Sequence, residues 1–266
     1  MIQLIGHKTM LINHYQYELT IWIWLGIAAF TFILLMFIRA PYGRHERPGW
    51  GFRIPARLGW IIMESPCIIV MTIFFWIGVS RWDILDPVGI IFYIIWIIHY
   101  IHRSWIWPAR AHISSKKMPI SIALFAIGFN SINSWINAEW VYSLHYPYPI
   151  EWLYSPQFII GVALFIIGMG INIFSDNILF ALRKKGESDY KIPYGALFKW
   201  ISCPNYLGEI IEWIGWAIAT WSLAGLSFTA WAIANLVPRS RSNHQWYLEN
   251  FKEYPKNRKI LIPKIW

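Results

Sequence analysis

Charge is scarce in this chain: only 14% of its 266 residues are Asp, Glu, Lys or Arg, against roughly 25% in an average soluble domain. Together with 57% hydrophobic and 18% aromatic residues, that shortage argues against an ordinary water-soluble fold, whose interior is too small to hide so much apolar surface. Cysteine is nearly absent. Cys67 falls inside a predicted helix and Cys203 in a basic loop, so neither a disulfide framework nor a zinc site is suggested, and the redox compartment stays open. No Gly-x-Gly-x-x-Gly follows a strand and no Gly-rich loop ends in Lys-Ser or Lys-Thr; any nucleotide must bind outside those two folds. Internal repeats and low-complexity segments are missing too.

What is present is a series of apolar stretches near the roughly 20 residues needed to cross a bilayer. Leu19 to Ile38 carries no charge at all, and further spans are expected at Leu58 to Val79, Pro87 to Trp107, Ile120 to Trp140 and Phe158 to Leu182. Tyr206 to Val237 is too long for one helix and short for two, with Ser222, Gly225 and Ser227 at its middle, so it reads as a hairpin. The first stretch is expected to be a mature helix, because no basic leader precedes it and no small-residue cleavage site follows. The expectation is an all-α, polytopic integral membrane protein with seven transmembrane helices in one domain, residues 1–266.

The net charge of +9 could suggest nucleic acid, but the Lys and Arg lie between apolar segments rather than along one polar face. All but Lys8 and Arg81 fall in alternate loops, Arg39 to Arg57, Arg103 to Lys117, Arg183 to Lys199 and Arg239 to Lys264. By the positive-inside rule the N terminus is expected outside and the C terminus in the cytosol. A single final helix would put the basic tail on the wrong side, which supports the hairpin.

Ionisable residues inside such helices cost roughly 2.5–3.5 kcal/mol each on insertion scales, so each needs a reason. Glu64 lies in an apolar run just before Pro66. His99, His102 and Arg103 share a helix face; the absence of a His-x-x-x-His pair argues against a metal, and snorkelling to headgroups accounts for Arg103. Asn172 and Asp176, four apart, and Glu209 and Glu212, three apart, flank the basic loop with Arg183, Tyr190 and Asn205, an assembly suited to a large polar ligand. Asn130, Asn133 and Asn137 form a stripe best read as hydrogen-bonding glue between helices.

The run from Gly168 to Leu223, GMGINIFSDNILFALRKKGESDYKIPYGALFKWISCPNYLGEIIEWIGWAIATWSL, and the tail VPRSRSNHQWYLENFKEYPKNRKILIPKIW resemble the steroid 5α-reductase family. Looser matches stand at Tyr42-Gly43-Arg44-His45, Pro55-Ala56-Arg57, Glu64-Ser65-Pro66 and His99-Tyr100-Ile101-His102-Arg103. The resemblance implies a seven-helix membrane fold, NADPH as hydride donor and 3-oxo-Δ4 steroids as substrates. Carried over residue by residue, it gives Glu64 and Tyr100 to the substrate's 3-oxo group as the catalytic pair. It gives Asn172, Asp176, Arg183, Tyr190, Asn205, Glu209, Arg239, Asn243 and Tyr247 to NADPH, with Arg183 and Arg239 suited to phosphates. Trp60, Phe129, Trp213 and Phe228 are the expected walls for a flat lipid. Asn243 stands where the family tail often has His, and Cys203-Pro204 replaces smaller residues.

On this reading residues 1–140 form the substrate side and residues 158–266 the NADPH portion. The expected partners are a steroid-like lipid and the bilayer, with no nucleic acid, no metal and no obligatory protein partner; the membrane is a bacterial inner membrane or the endoplasmic reticulum, the cofactor site facing the cytosol. Two other classes stay open. Membrane methyltransferases of the isoprenylcysteine type share a related C-terminal plan, and a non-catalytic lipid carrier would also line a path with polar groups. Glu64 and the His-Tyr-x-His-Arg cluster favour the reductase.

Overall fold

The computed structural model describes residues 13–39, 43–45, 49–111, 113, 116–182 and 189–266. Seven long helices dominate them: α1 (His14–Phe37), α2 (Ala56–Trp82), α3 (Pro87–Arg110), α4 (Ile120–Glu139), α5 (Pro156–Ala181), α6 (Pro204–Thr220) and α7 (Leu223–Asn250). Of these, α1, α2, α3 and α5 are long and apolar enough to cross a membrane. Their outward faces carry large bare side chains such as Trp22, Phe30 and Ile166, a surface that suits hydrocarbon.

Local chemistry sets the helix ends. Asn13 and Gln16 exchange capping bonds at the start of α1. Asp86 accepts from the Val88 and Gly89 amides, ahead of Pro87 in the first turn of α3. Between α6 and α7 the chain reverses at Trp221, held at φ 46°, and Ser222 caps the next helix through the Gly225 amide at 2.9 Å. The expected hairpin is therefore present, but its second arm runs beyond Val237, through Pro238 inside the helix, to Asn250.

One departure from an all-helical chain is a short antiparallel ribbon, Arg53–Pro55 (β1) against Lys117–Pro119 (β2). Proline ends both strands and fixes an extended backbone just before α2 and α4. The ribbon ties the entry points of these two helices together.

Helices α5 and α6 meet backbone to backbone. Gly161 and Gly168 on one face Gly215 and Gly208 on the other, and a Cβ added at Gly208 would lie 2.6 Å from the Asn172 nitrogen. Only glycine allows that approach. Against this pair packs an aromatic core in which Trp96, Trp213 and Trp216 are almost fully buried. Regular α3 ends at Ile101 and passes through one π-helical turn, His102–Ile106, before resuming at Trp107–Arg110. Pro108 has no amide to give to the turn before it, which accounts for the wider winding there.

Candidate functional site

A cavity of about 1140 Å³ opens among all seven long helices, larger than the roughly 300–1,000 Å³ that holds one drug-sized ligand. Its two ends differ in chemistry. Aromatic rings form the apolar end: Phe129 lies 5.7 Å from Trp24 and 4.9 Å from Trp231, and the Trp213 and Phe228 rings sit 3.9 Å apart. Acids, amides and cations gather at the other end, with Asp176, Asn205, Glu209, Arg103, Arg239 and Lys116 on its wall.

Of the residues expected to act, Glu64 and Tyr100 both line this cavity, Glu64 from α2 and Tyr100 from α3. Asn130 on α4 donates to the Met63 carbonyl at 2.6 Å and to Glu64 Oε2 at 3.2 Å. The Asn130 stripe does join helices, since Asn137 also accepts from Trp216 Nε1 at 2.8 Å; Asn130 in addition holds a carboxyl at the cavity wall. Tyr100 is buried beside the Cys67 thiol. Trp60, Phe129, Trp213 and Phe228 all line the cavity as expected of apolar walls.

At the polar end, Asp176 accepts from Trp107 Nε1 at 2.7 Å and from Asn205 Nδ2 at 3.0 Å. Asn172 donates to the Asn205 carbonyl at 2.9 Å and to Glu209 Oε2 at 3.4 Å. Asp176, Tyr190, Asn205, Glu209, Arg239 and Tyr247 line the cavity, and Arg239 Nε donates to the Tyr206 hydroxyl at 2.7 Å. Asn172 braces this wall from behind. Asn243 lies apart from the cavity lining, 3.2 Å from His45 Nε2 and 3.9 Å from Cys203 Sγ. Arg183 lies outside the described residues.

Two sequence readings change. Arg103 does not snorkel away to headgroups: its guanidinium lies over the Trp60 and Trp107 rings at 5.1 and 5.3 Å and pairs with Glu209 at 3.8 Å. Glu212 does not join the polar face with Glu209; it is fully buried, with Oε1 2.6 Å from His99 Nδ1. The two pairs form successive rungs between α3 and α6, because residues four apart on one helix meet residues three apart on the other. That complementary spacing was the available signal, and only packing could show that the two helices face each other.

The C-terminal tail closes the cytosol-predicted end. Ser202 Oγ bonds His244 Nδ1 at 2.6 Å and the Tyr254 hydroxyl at 2.7 Å, and residue Ile201 bridges to Lys259. Burial pushes the Tyr254 phenol up, which keeps it a hydrogen-bond donor.

Comparison with known families matches residues 116–266 to the 3-oxo-5-alpha-steroid 4-dehydrogenase family. The chain is 43% identical over 245 residues to the steroid 5-alpha-reductase DET2 of Arabidopsis thaliana, covering 89% of this chain and 91% of the relative. It is 38% identical over 222 residues to the human 3-oxo-5-alpha-steroid 4-dehydrogenase 1, covering 84% of this chain and 85% of that protein. With a family match over more than half its length and relatives matched almost end to end, the chain belongs to the steroid 5-alpha-reductase family of oxidoreductases.

Proposed function

We propose that this enzyme reduces the Δ4 double bond of 3-oxo-Δ4 steroids, or of a similar lipid enone, with NADPH. The observation that carries the reading is a single cavity joining an aromatic end to an end rich in cations and amides, with Glu64 and Tyr100 also on its wall. A flat apolar substrate suits the first and a phosphate-bearing dinucleotide the second. The donor set fits NADPH: Arg103, Arg239 and Lys116 supply positive charge for phosphates, while Asp176, Asn205 and Glu209 offer acceptors and donors for ribose and amide groups. Arg183 and Tyr190 belong to this cofactor end on the family resemblance.

When bound, the reduced nicotinamide supplies a hydride for the enone β-carbon. The protein's part is electrostatic. Charge pushed onto the 3-oxo oxygen meets the Tyr100 phenol, which donates to the developing enolate. Glu64 orders that phenol or shares its proton, and Asn130 keeps the Glu64 carboxyl in place. Seven spans, an outer N terminus and a cytosolic cofactor end complete the proposal, consistent with the basic residues gathered in alternate loops.

The test uses purified protein with NADPH, NADH and S-adenosylmethionine, and a panel of enone steroids. Thermal stabilisation by NADP+ and steroid-dependent oxidation of NADPH are expected. Stabilisation by S-adenosylmethionine alone would replace the reductase with a methyltransferase. Binding of steroid without any turnover would make the chain a carrier.

A further inference from the structure

Enone reduction needs a proton at the α-carbon after the hydride reaches the β-carbon, and neither Glu64 nor Tyr100 is committed to that step. Beside Tyr100 on α3, His99 lines the same cavity. Its Nδ1 is held by Glu212 Oε1 at 2.6 Å, with the carboxylate fully buried and the other oxygen, Oε2, without a partner among the described residues. Its ring stands edge-on to Trp213, with centroids 4.7 Å apart, and against Tyr100 at 4.8 Å. The imidazole is thus clamped on three sides.

We propose that His99 delivers the proton to the substrate α-carbon and that Glu212 is the positioning residue that fixes the imidazole and its tautomer; this rests on the reductase reading above. A carboxylate on Nδ1 keeps that nitrogen protonated, so Nε2 is the atom that gives and regains protons. Nε2 makes no hydrogen bond among the described residues.

The balance is simple. A C–H bond forms at the β-carbon from the nicotinamide hydride, and the C=C electron pair moves toward the 3-oxo oxygen as an enolate. The enolate then takes a proton from His99 Nε2, forming the α C–H bond and leaving neutral imidazole. Solvent returns one proton to Nε2, so one hydride and one proton are consumed per double bond. Around the imidazole stand Glu212 and Glu209 from α6, Glu64 from α2, and Arg103 and Tyr100 from α3. The Arg103 charge is taken up by Glu209 at 3.8 Å, which leaves Glu212 to His99.

The experiment has two readouts, one of which needs no hydride transfer. The first is steady-state reduction of an enone steroid by wild type, His99→Gln and Glu212→Gln. The second is exchange of the α-hydrogens of a saturated 3-oxo steroid with deuterated water in the presence of NADP+, followed by mass spectrometry. His99→Gln is expected to lower kcat by about a hundredfold or more, the scale of a lost general acid, with KM and NADP+ stabilisation close to wild type. The solvent isotope effect should rise and the exchange should stop. Glu212→Gln is expected to give a smaller loss in kcat, and the double variant to be no slower than His99→Gln alone, because the two act as one unit.

Retention of kcat within threefold together with wild-type exchange in His99→Gln overturns the assignment while the reductase reading stands. Should His99→Gln fail to fold, Glu212→Gln with unchanged kcat and unchanged solvent isotope effect overturns it equally. Wild type that reduces no enone and exchanges no α-hydrogen refutes the reductase reading itself.

Discussion

Asn130 binds two oxygens of α2 at once, the Met63 carbonyl at 2.6 Å and Glu64 Oε2 at 3.2 Å. Both acceptors lie within the turn that precedes Pro66, a residue with no amide of its own to give to the helix. Asn130→Ala would leave a buried carbonyl and a carboxyl without their donor, a loss of about 1–3 kcal/mol. The expected result is lower stability in denaturant and a turnover reduced about tenfold or more, with NADP+ binding retained. Full turnover in a folded Asn130→Ala protein would show that Glu64 is held without it.

Tyr100→Phe removes a donor from the proposed oxyanion position, and such losses cost about 10²–10³ in kcat. Glu64→Gln should also lose most steroid-dependent NADPH oxidation. Both are expected to keep cofactor affinity, read by thermal shift with NADP+. A variant that folds but no longer binds NADP+ would move that residue from the substrate end to the cofactor end.

Asp176→Ala orphans two donors, Trp107 Nε1 and Asn205 Nδ2, that meet on one carboxylate. NADP+ affinity is expected to fall at least tenfold while binding of the enone steroid alone changes little, measured by titration against intrinsic tryptophan fluorescence. Equal weakening of both ligands would show that Asp176 supports the whole bundle instead.

Gly208→Ala places a methyl group 2.6 Å from the Asn172 nitrogen and 2.6 Å from the Gly168 carbonyl. Backbone atoms cannot rotate away, so α5 and α6 must separate, at about 1–3 kcal/mol for overpacking. A lowered Tm is expected, with weaker NADP+ binding because Asn172, Asn205 and Asp176 span the same seam. An unchanged Tm would mean that the helices part without cost.

Ser202→Ala deletes the oxygen that joins His244, Tyr254 and the Lys259 carbonyl. Faster proteolytic clipping after residue 250 is expected, with a stability loss of about 1–3 kcal/mol. Unchanged clipping would show that the tail is held mainly by the packing of Tyr254 on Tyr247, whose rings stack at 5.0 Å.

The limits of the sequence reading are clearest at Arg103 and Glu212. Arg103 looked like a group seeking the membrane surface and Glu212 like part of a polar face shared with Glu209, because each was judged along its own helix. In the folded bundle the neighbour of α3 is α6, and Arg103 meets Glu209 while His99 meets Glu212. Pairing offsets part of the cost that made the isolated residue look expensive. Asn243 illustrates the opposite case: a tail position carried over by likeness stands against His45 and Cys203, apart from the main cavity lining.

Apolar run length located the first five long helices, and the serine and glycine at the middle of Tyr206 to Val237 split that run into the last two, because helix length and turn chemistry are local properties of the chain. The motifs around Glu64, Tyr100, Asn172 and Asn205 likewise carried the family. Tertiary structure decided which polar groups face one another, since the glycine seam of α5 and α6, the ribbon that ties α2 to α4 and the π-turn of α3 set the rotation and depth of each helix. A side chain's partner depends on those relative placements, and no single helix encodes them.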